Sequence, residues 1–129
     1  MLEIKPVQTK KEQEKICGLC GVAFDIDCLC YAAFESNKLL AAAQFRILGE
    51  YAVVYDLTNA AGVNDFQALI ITGKCALNFI DLCKIKVKEV VFKIENQDLL
   101  EALGCKKDAS GVWRVNLEGY FEAPCRKQL

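Results

Sequence analysis

The spacing of apolar and polar positions divides this chain into a series of short elements. Residues 2 to 7 read as a strand. Thr9 then stands ahead of a polar run, Lys10 to Lys15, which continues into Ile16, Leu19 and Cys20 as a capped helix with one apolar face. Residues 28 to 35 (Cys-Leu-Cys-Tyr-Ala-Ala-Phe-Glu) form a β-like run, and Ser36-Asn37-Lys38 supplies turn chemistry before a returning run, Leu39 to Leu48. Gly49-Glu50 turns the chain again into Tyr51 to Thr58, whose Val53-Val54-Tyr55 centre favours a strand.

From Phe66 the period changes. Apolar or small residues at Phe66, Leu69, Ile70, Gly73, Leu77 and Ile80 make a helical stripe, which predicts a helix over 64 to 84, about 20 residues long. A strand follows at 88 to 95, then a short helix at 98 to 103 closed by Gly104; residues 111 to 117 and Tyr120-Phe121 complete the sheet. This order predicts an α/β (α+β) fold, a mixed, mostly antiparallel twisted sheet with helices on both faces. Strands 51–58 and 88–95 should be parallel neighbours joined by a right-handed crossover.

Composition narrows the function. With 129 residues and no internal repeat, one domain over 1–129 is expected. Sixteen basic and 17 acidic residues leave a net charge of −1, so no field draws the chain to nucleic acid or to an anionic membrane. The longest apolar stretch, Cys28 to Phe34, is far short of the roughly 20 residues that cross a bilayer. The N-terminal residues show no secretion signal, so a cytoplasmic location is expected, where the eight cysteines would be reduced. Histidine is absent, which removes the commonest general base and transition-metal ligand.

Several phrases fall in a telling order: Ile4-Lys5-Pro6 at the start, Asn37-Lys38-Leu39-Leu40 in the hairpin, and Glu95-Asn96 followed by Leu103-Gly104-Cys105. In this order the chain resembles the GNAT acyltransferase family over nearly its whole length. The resemblance implies acetyl-CoA as cofactor, lying between strands 51–58 and 88–95 beside Leu57, Thr58 and Asn96. A backbone N–H near Leu57 would polarise the thioester carbonyl. It also implies that the pyrophosphate rests at the start of the long helix, on Val63, Asn64, Phe66, Gln67 and Ala68, where helix N–H groups are free. In that loop Val63 stands where the family has Gln or Arg, Phe66 stands where it has its first glycine, and Asp65 adds a negative charge. Leu100 occupies the place of the Tyr that protonates the leaving thiolate in many members.

Among candidate side chains, Asp56 is the best base: a carboxylate in an apolar strand can take a proton from an amine, directly or through water. Strict alternation would put it on one face with Ala52, Val54 and Thr58, and Tyr51, Val53, Tyr55 and Leu57 on the other. The competing role is a strand-end Asp that is solvated or caps the backbone. Tyr55, with Tyr31 and Glu35, is a candidate wall of an acceptor pocket, against ordinary sheet packing. Cys17-x-x-Cys20 and Cys28-x-Cys30 are the only cysteines with metal-like spacing, but the overall spacing is not that of a zinc ribbon, so no metal is expected. Cys30 is the least implausible nucleophile. Lys84, Lys86 and Lys88 read as a solvated approach to a strand.

The expected function is CoA-dependent N-acyl transfer by direct attack of an amine, with a small amine or a peptide as acceptor. The alternative is a non-catalytic domain that keeps the fold but has lost acetyl-CoA. A homodimer is compatible with either. Phe66 should pack onto the sheet and an Asn64 or Asp65 side chain should cap the helix, so acetyl-CoA binding should be weak.

Overall fold

The computed structural model describes residues 1–83 and 87–121. The elements run β1 (Leu2–Pro6), α1 (Lys10–Cys20), β2 (Leu29–Glu35), β3 (Lys38–Leu48), β4 (Tyr51–Asn59), α2 (Phe66–Asp81), β5 (Glu89–Phe92), α3 (Gln97–Ala102), β6 (Lys106–Lys107) and β7 (Trp113–Asn116). All seven strands form one sheet in the order β1-β2-β3-β4-β5-β7-β6. Among the described residues only the β4–β5 pair is parallel; the other neighbours are antiparallel. The expected mixed, mostly antiparallel α/β fold is present.

Local chemistry explains the punctuation. Thr9 caps α1 by accepting the Glu12 N–H at 3.1 Å. The β2–β3 hairpin turns on Ser36 and Asn37, both at positive φ (51° and 67°), the pair of left-handed residues that matches strand twist in a two-residue loop. Asp65 caps α2 and Asn96 caps α3.

Side chains alternate between two cores. On the α2 side, Ala41, Ala43 and Phe45 of β3 join Leu69, Leu77 and Ile80 of α2 and Leu99, Leu100 and Leu103 around α3. On the α1 side, Ala42 packs with Ile16, Cys20, Cys30 and Ala32. Gly73 lets α2 approach closely: a Cβ there would meet Leu57 at 3.0 Å and Leu103 at 3.1 Å.

Three expectations need correction, and one short strand was not foreseen. The long helix is 16 residues, ending at Asp81; residue 84, with Lys86, lies outside the described residues. Tyr120-Phe121 is a turn, not a strand, and Tyr120 instead donates its hydroxyl to the Leu103 carbonyl at 2.6 Å. The hairpin partner of β7 is the two-residue β6, too short to carry a period. Phe66 is 39% exposed rather than packed on the sheet. Side chains lean toward the N-terminus of their helix, and from the first helical position that direction leads away from the residues beneath Leu69 and Gly73.

Candidate functional site

The site begins where β4 and β5 part. Their parallel ladder runs from Tyr51–Glu89 to Val54–Phe92, and a last bond from the Lys93 N–H to the Val54 carbonyl, 2.8 Å, ends it. Beyond this point β4 continues to Asn59 beside β3, while the other chain turns toward α3. A cleft of about 640 Å³ opens between them. Tyr55, Asp56, Leu57 and Thr58 form one wall, with Val63 from the loop before α2; Lys93, Glu95 and Asn96 form the other.

A bulge aims these residues. Gln44 pairs with Asp56 but Phe45 pairs with Val54, so Tyr55 is an extra residue on β4. Strict alternation therefore fails, and Leu57 joins Ala52 and Val54 in the α2-side core, whereas Asp56 faces Gln44 on the α1 side. Tyr55 lies at the cleft with the Lys93 ammonium 5.8 Å from its ring centroid.

Tyr31 does not join Tyr55. It is turned under α2, with ring centroids 6.1 Å from Phe45 and 5.8 Å from Phe79, and Glu35 is exposed at the hairpin end opposite Lys38. The candidate acceptor pocket is not formed by these three residues, and Tyr31 takes the alternative role of ordinary packing.

At the α2 N-terminus, Asp65 Oδ1 accepts the Ala68 N–H at 3.0 Å, and the first backbone bond of the helix is Leu69 N–H to the Asp65 carbonyl. The N–H groups of Phe66 and Gln67 precede it and point out of the helix end. The Asn64, Phe66 and Gln67 side chains are exposed and Ala68 is buried. Asn59 braces this loop, donating to the Leu40 and Asp65 carbonyls at 3.0 and 3.1 Å and accepting the Asp65 N–H at 3.3 Å. Asn96 also lines the cleft, but its side-chain oxygen is taken by the Leu99 N–H.

Sequence reading passed over Gln44, Gln13, Asn59 and Lys93. Gln44 and Gln13 are among the buried polar side chains, 1% and 2% exposed. The available signal was Gln44 itself, a lone amide in the apolar run from Leu39 to Phe45.

The seven described cysteines are free thiols. Burial pushes Cys20 up to about 11 and Cys28 and Cys30 up to about 12, so Cys30 is protonated and poorly nucleophilic near neutrality. Among the described residues no three His, Cys, Asp or Glu are gathered so as to hold a metal ion, and no helix is long and apolar enough to cross a membrane.

No protein-family model matches this chain, and no curated protein matches it. Solved structures do. The ribosomal-protein-S18-alanine N-acetyltransferase from Escherichia coli aligns over 91% of this chain and 94% of its own, at 11% identity and a TM-score of 0.69. The N-acetyltransferase from Staphylococcus aureus Mu50 covers 91% and 98% at 14% identity and a TM-score of 0.66. PaiA N-acetyltransferase from Thermoplasma acidophilum, solved in complex with coenzyme A, covers 88% and 96% at 12% identity and a TM-score of 0.65. At these identities the likeness is one of architecture: this chain has the GNAT acetyltransferase fold.

Proposed function

We propose that the chain is a CoA-dependent N-acyltransferase whose reaction takes place in the cleft between β4 and β5. The observation that carries this reading is Asp56: an acidic residue set by a bulge in the lining of a cleft that opens where two parallel strands part, with its Oδ2 bonded to Gln44. The cofactor fits unevenly. Its thioester arm suits a cleft beside a strand with no β5 partner beyond Val54, whereas its pyrophosphate would meet the Phe66 and Gln67 N–H groups at the helix start, next to the Asp65 carboxylate.

When bound, acyl-CoA supplies an activated carbonyl. Asp56 accepts the proton released as the acceptor nitrogen bonds to that carbonyl carbon and the carbon–sulfur bond breaks. Leu100 is fully buried and has no transferable proton, so it would not serve as the acid for a leaving thiolate. A small amine or a peptide amine is the acceptor class. The ammonium of Lys93 beside Tyr55 adds positive charge to a cleft that Asp56 and Glu95 make acidic.

Calorimetric titration with acetyl-CoA tests the cofactor half. Affinity weaker than micromolar, less than about 8 kcal/mol of binding free energy, is expected, tightening several-fold in Asp65→Asn, which keeps a cap but removes the charge. Micromolar affinity insensitive to that substitution would show that the pyrophosphate finds its donors elsewhere. The second reading, a GNAT-fold domain that binds without catalysis, is favoured by the Asp65 cap alone, which occupies the Ala68 donor. Thiol release from acetyl-CoA in the presence of a polyamine or of peptides with a free amine separates the two readings.

A further inference from the structure

Resting on the assignment of Asp56 as the base, we infer that Gln44 divides the labour of the Asp56 oxygens, holding Oδ2 as a permanent acceptor and leaving Oδ1 as the atom that takes the amine's proton. The inference follows from how the buried amide is pinned. Gln44 Oε1 accepts the Asp25 backbone N–H at 3.2 Å, and a backbone N–H can only donate. Gln44 Nε2 donates to the Ala23 carbonyl at 2.9 Å, and a carbonyl can only accept. The orientation of the amide is thus decided by main-chain groups, and its second Nε2 hydrogen is directed at Asp56 Oδ2, 2.8 Å away.

Gln13 locks the arrangement from behind. Its Nε2 donates to Gln44 Oε1 at 2.9 Å and to the Asp25 carbonyl at 3.2 Å, and its Oε1 accepts from the Lys10 ammonium at 3.2 Å. Lys10 also donates to the Cys28 carbonyl. Every bond in the chain from Lys10 through Gln13 and Gln44 to Asp56 therefore has one direction. Reversing the Gln44 amide would face its NH₂ against the Asp25 N–H and its oxygen against the Ala23 carbonyl. A hydroxyl oxygen is a poorer acceptor than a carbonyl oxygen, so the bond from Gln44 to Oδ2 favours a protonated Asp56 with its hydrogen on Oδ1. The same amide ties residues 23 to 25, between α1 and β2, to the carboxylate, so that segment and Asp56 hold one relative position.

Gln44 is thus a positioning residue, and its effect should be readable without turnover. In ¹⁵N-edited spectra of the full chain, one Gln44 Nε2 proton should shift in Asp56→Ala, while the proton bonded to Ala23 stays in place and Asp65→Ala moves neither. Spectra in which Asp56→Ala leaves both protons unmoved would overturn the lock. In thiol-release assays with acetyl-CoA and a responsive amine, Gln44→Met should lower kcat about 10- to 100-fold with an unchanged KM for acetyl-CoA. Combined with Asp56→Asn it should add no further loss; additive losses would show that Gln44 does not act through Asp56. Should Gln44→Met fail to fold, Gln13→Met removes one donor and leaves the Asp25 and Ala23 bonds, and the same non-additivity is expected with a smaller loss. A wild type that releases no thiol with any amine would sink the acyltransferase reading and the proton assignment with it, while the spectra decide the Gln44–Asp56 lock on their own.

Discussion

The two faces of the sheet are built on different principles. Under α2 and α3 the core is aliphatic and aromatic, with Phe45, Leu77, Ile80, Leu99 and Leu100 all at 0% exposure. Under α1 a smaller cluster mixes alanines and thiols with Ile16 and Leu39, and this side also holds two buried amides, Gln13 and Gln44. Apolar burial is non-directional and tolerates approximate fits, whereas an amide with four partners has one acceptable orientation. The α2 face therefore carries most of the stability, and the α1 face carries the geometry that reaches Asp56.

That contrast is sharpened most by truncating neighbours on β3 that face opposite ways. Phe45→Ala should lower unfolding free energy by about 3 to 5 kcal/mol, measured by urea denaturation. Gln44→Met, which retains volume, should lower it by about 1 to 3 kcal/mol for the polar groups it orphans. Gln44→Met destabilising more than Phe45→Ala would break the comparison. Within the α2 face, Gly73→Val should cost about 1 to 3 kcal/mol, because its side chain enters space held by Leu57 and Leu103. An unchanged melting temperature would mean that α2 stands further from β4 than the Gly73 contacts describe.

A smaller effect concerns the thiols of the α1 face. Burial raises Cys20, Cys28 and Cys30 from the ordinary 9.0 to about 11, 12 and 12. Folding thus favours the protonated form. The resulting stability is present below pH 9 and is lost as pH rises toward 11 to 12. Melting temperature should decline across that window, and iodoacetamide at pH 8 should label these three cysteines only on unfolding. Rapid labelling of the native protein would place them on an open surface.

The smallest effect lies at the sheet edge, on neither face. Asp108 Oδ1 accepts from Ser110 and Val112, and its other oxygen pairs with Arg114 at 2.7 Å. The Ser110 hydroxyl and the Val112 N–H, with Arg114 adding less, lower its pKa from 3.8 to about 2. The bound form is the anion, so its contribution is present above pH 4 and disappears as pH falls through 2. Asp108→Asn should flatten the melting-temperature decline between pH 4 and 2 slightly; an unchanged slope would assign acid sensitivity to other carboxylates.

The elements were legible wherever a cap or a period stood in the sequence. Thr9, the Asn64-Asp65 pair, Gly104 and Ser36-Asn37 announced their helix ends and turn, because capping and left-handed turns depend on a few adjacent residues. Phe66 was misread because periodicity names a face of a helix and not where the sheet beneath it ends. Leu57 and Asp56 were assigned to the wrong faces for a related reason. The β4 bulge is a mismatch with Gln44 and Phe45 on the neighbouring strand, and nothing within residues 51–59 encodes it.

By itself, then, the sequence determined the order of elements from β1 to α3, the parallel pairing of β4 with β5, and a side-chain cap at Asn64 or Asp65, since each rests on local propensity or on a chain connection. Only the tertiary structure decided which face Asp56 takes, that Gln13 and Gln44 meet, and that the cleft opens beyond Val54. Those facts depend on contacts between residues 12 to 38 positions apart, and such contacts exist only once the strands are in register.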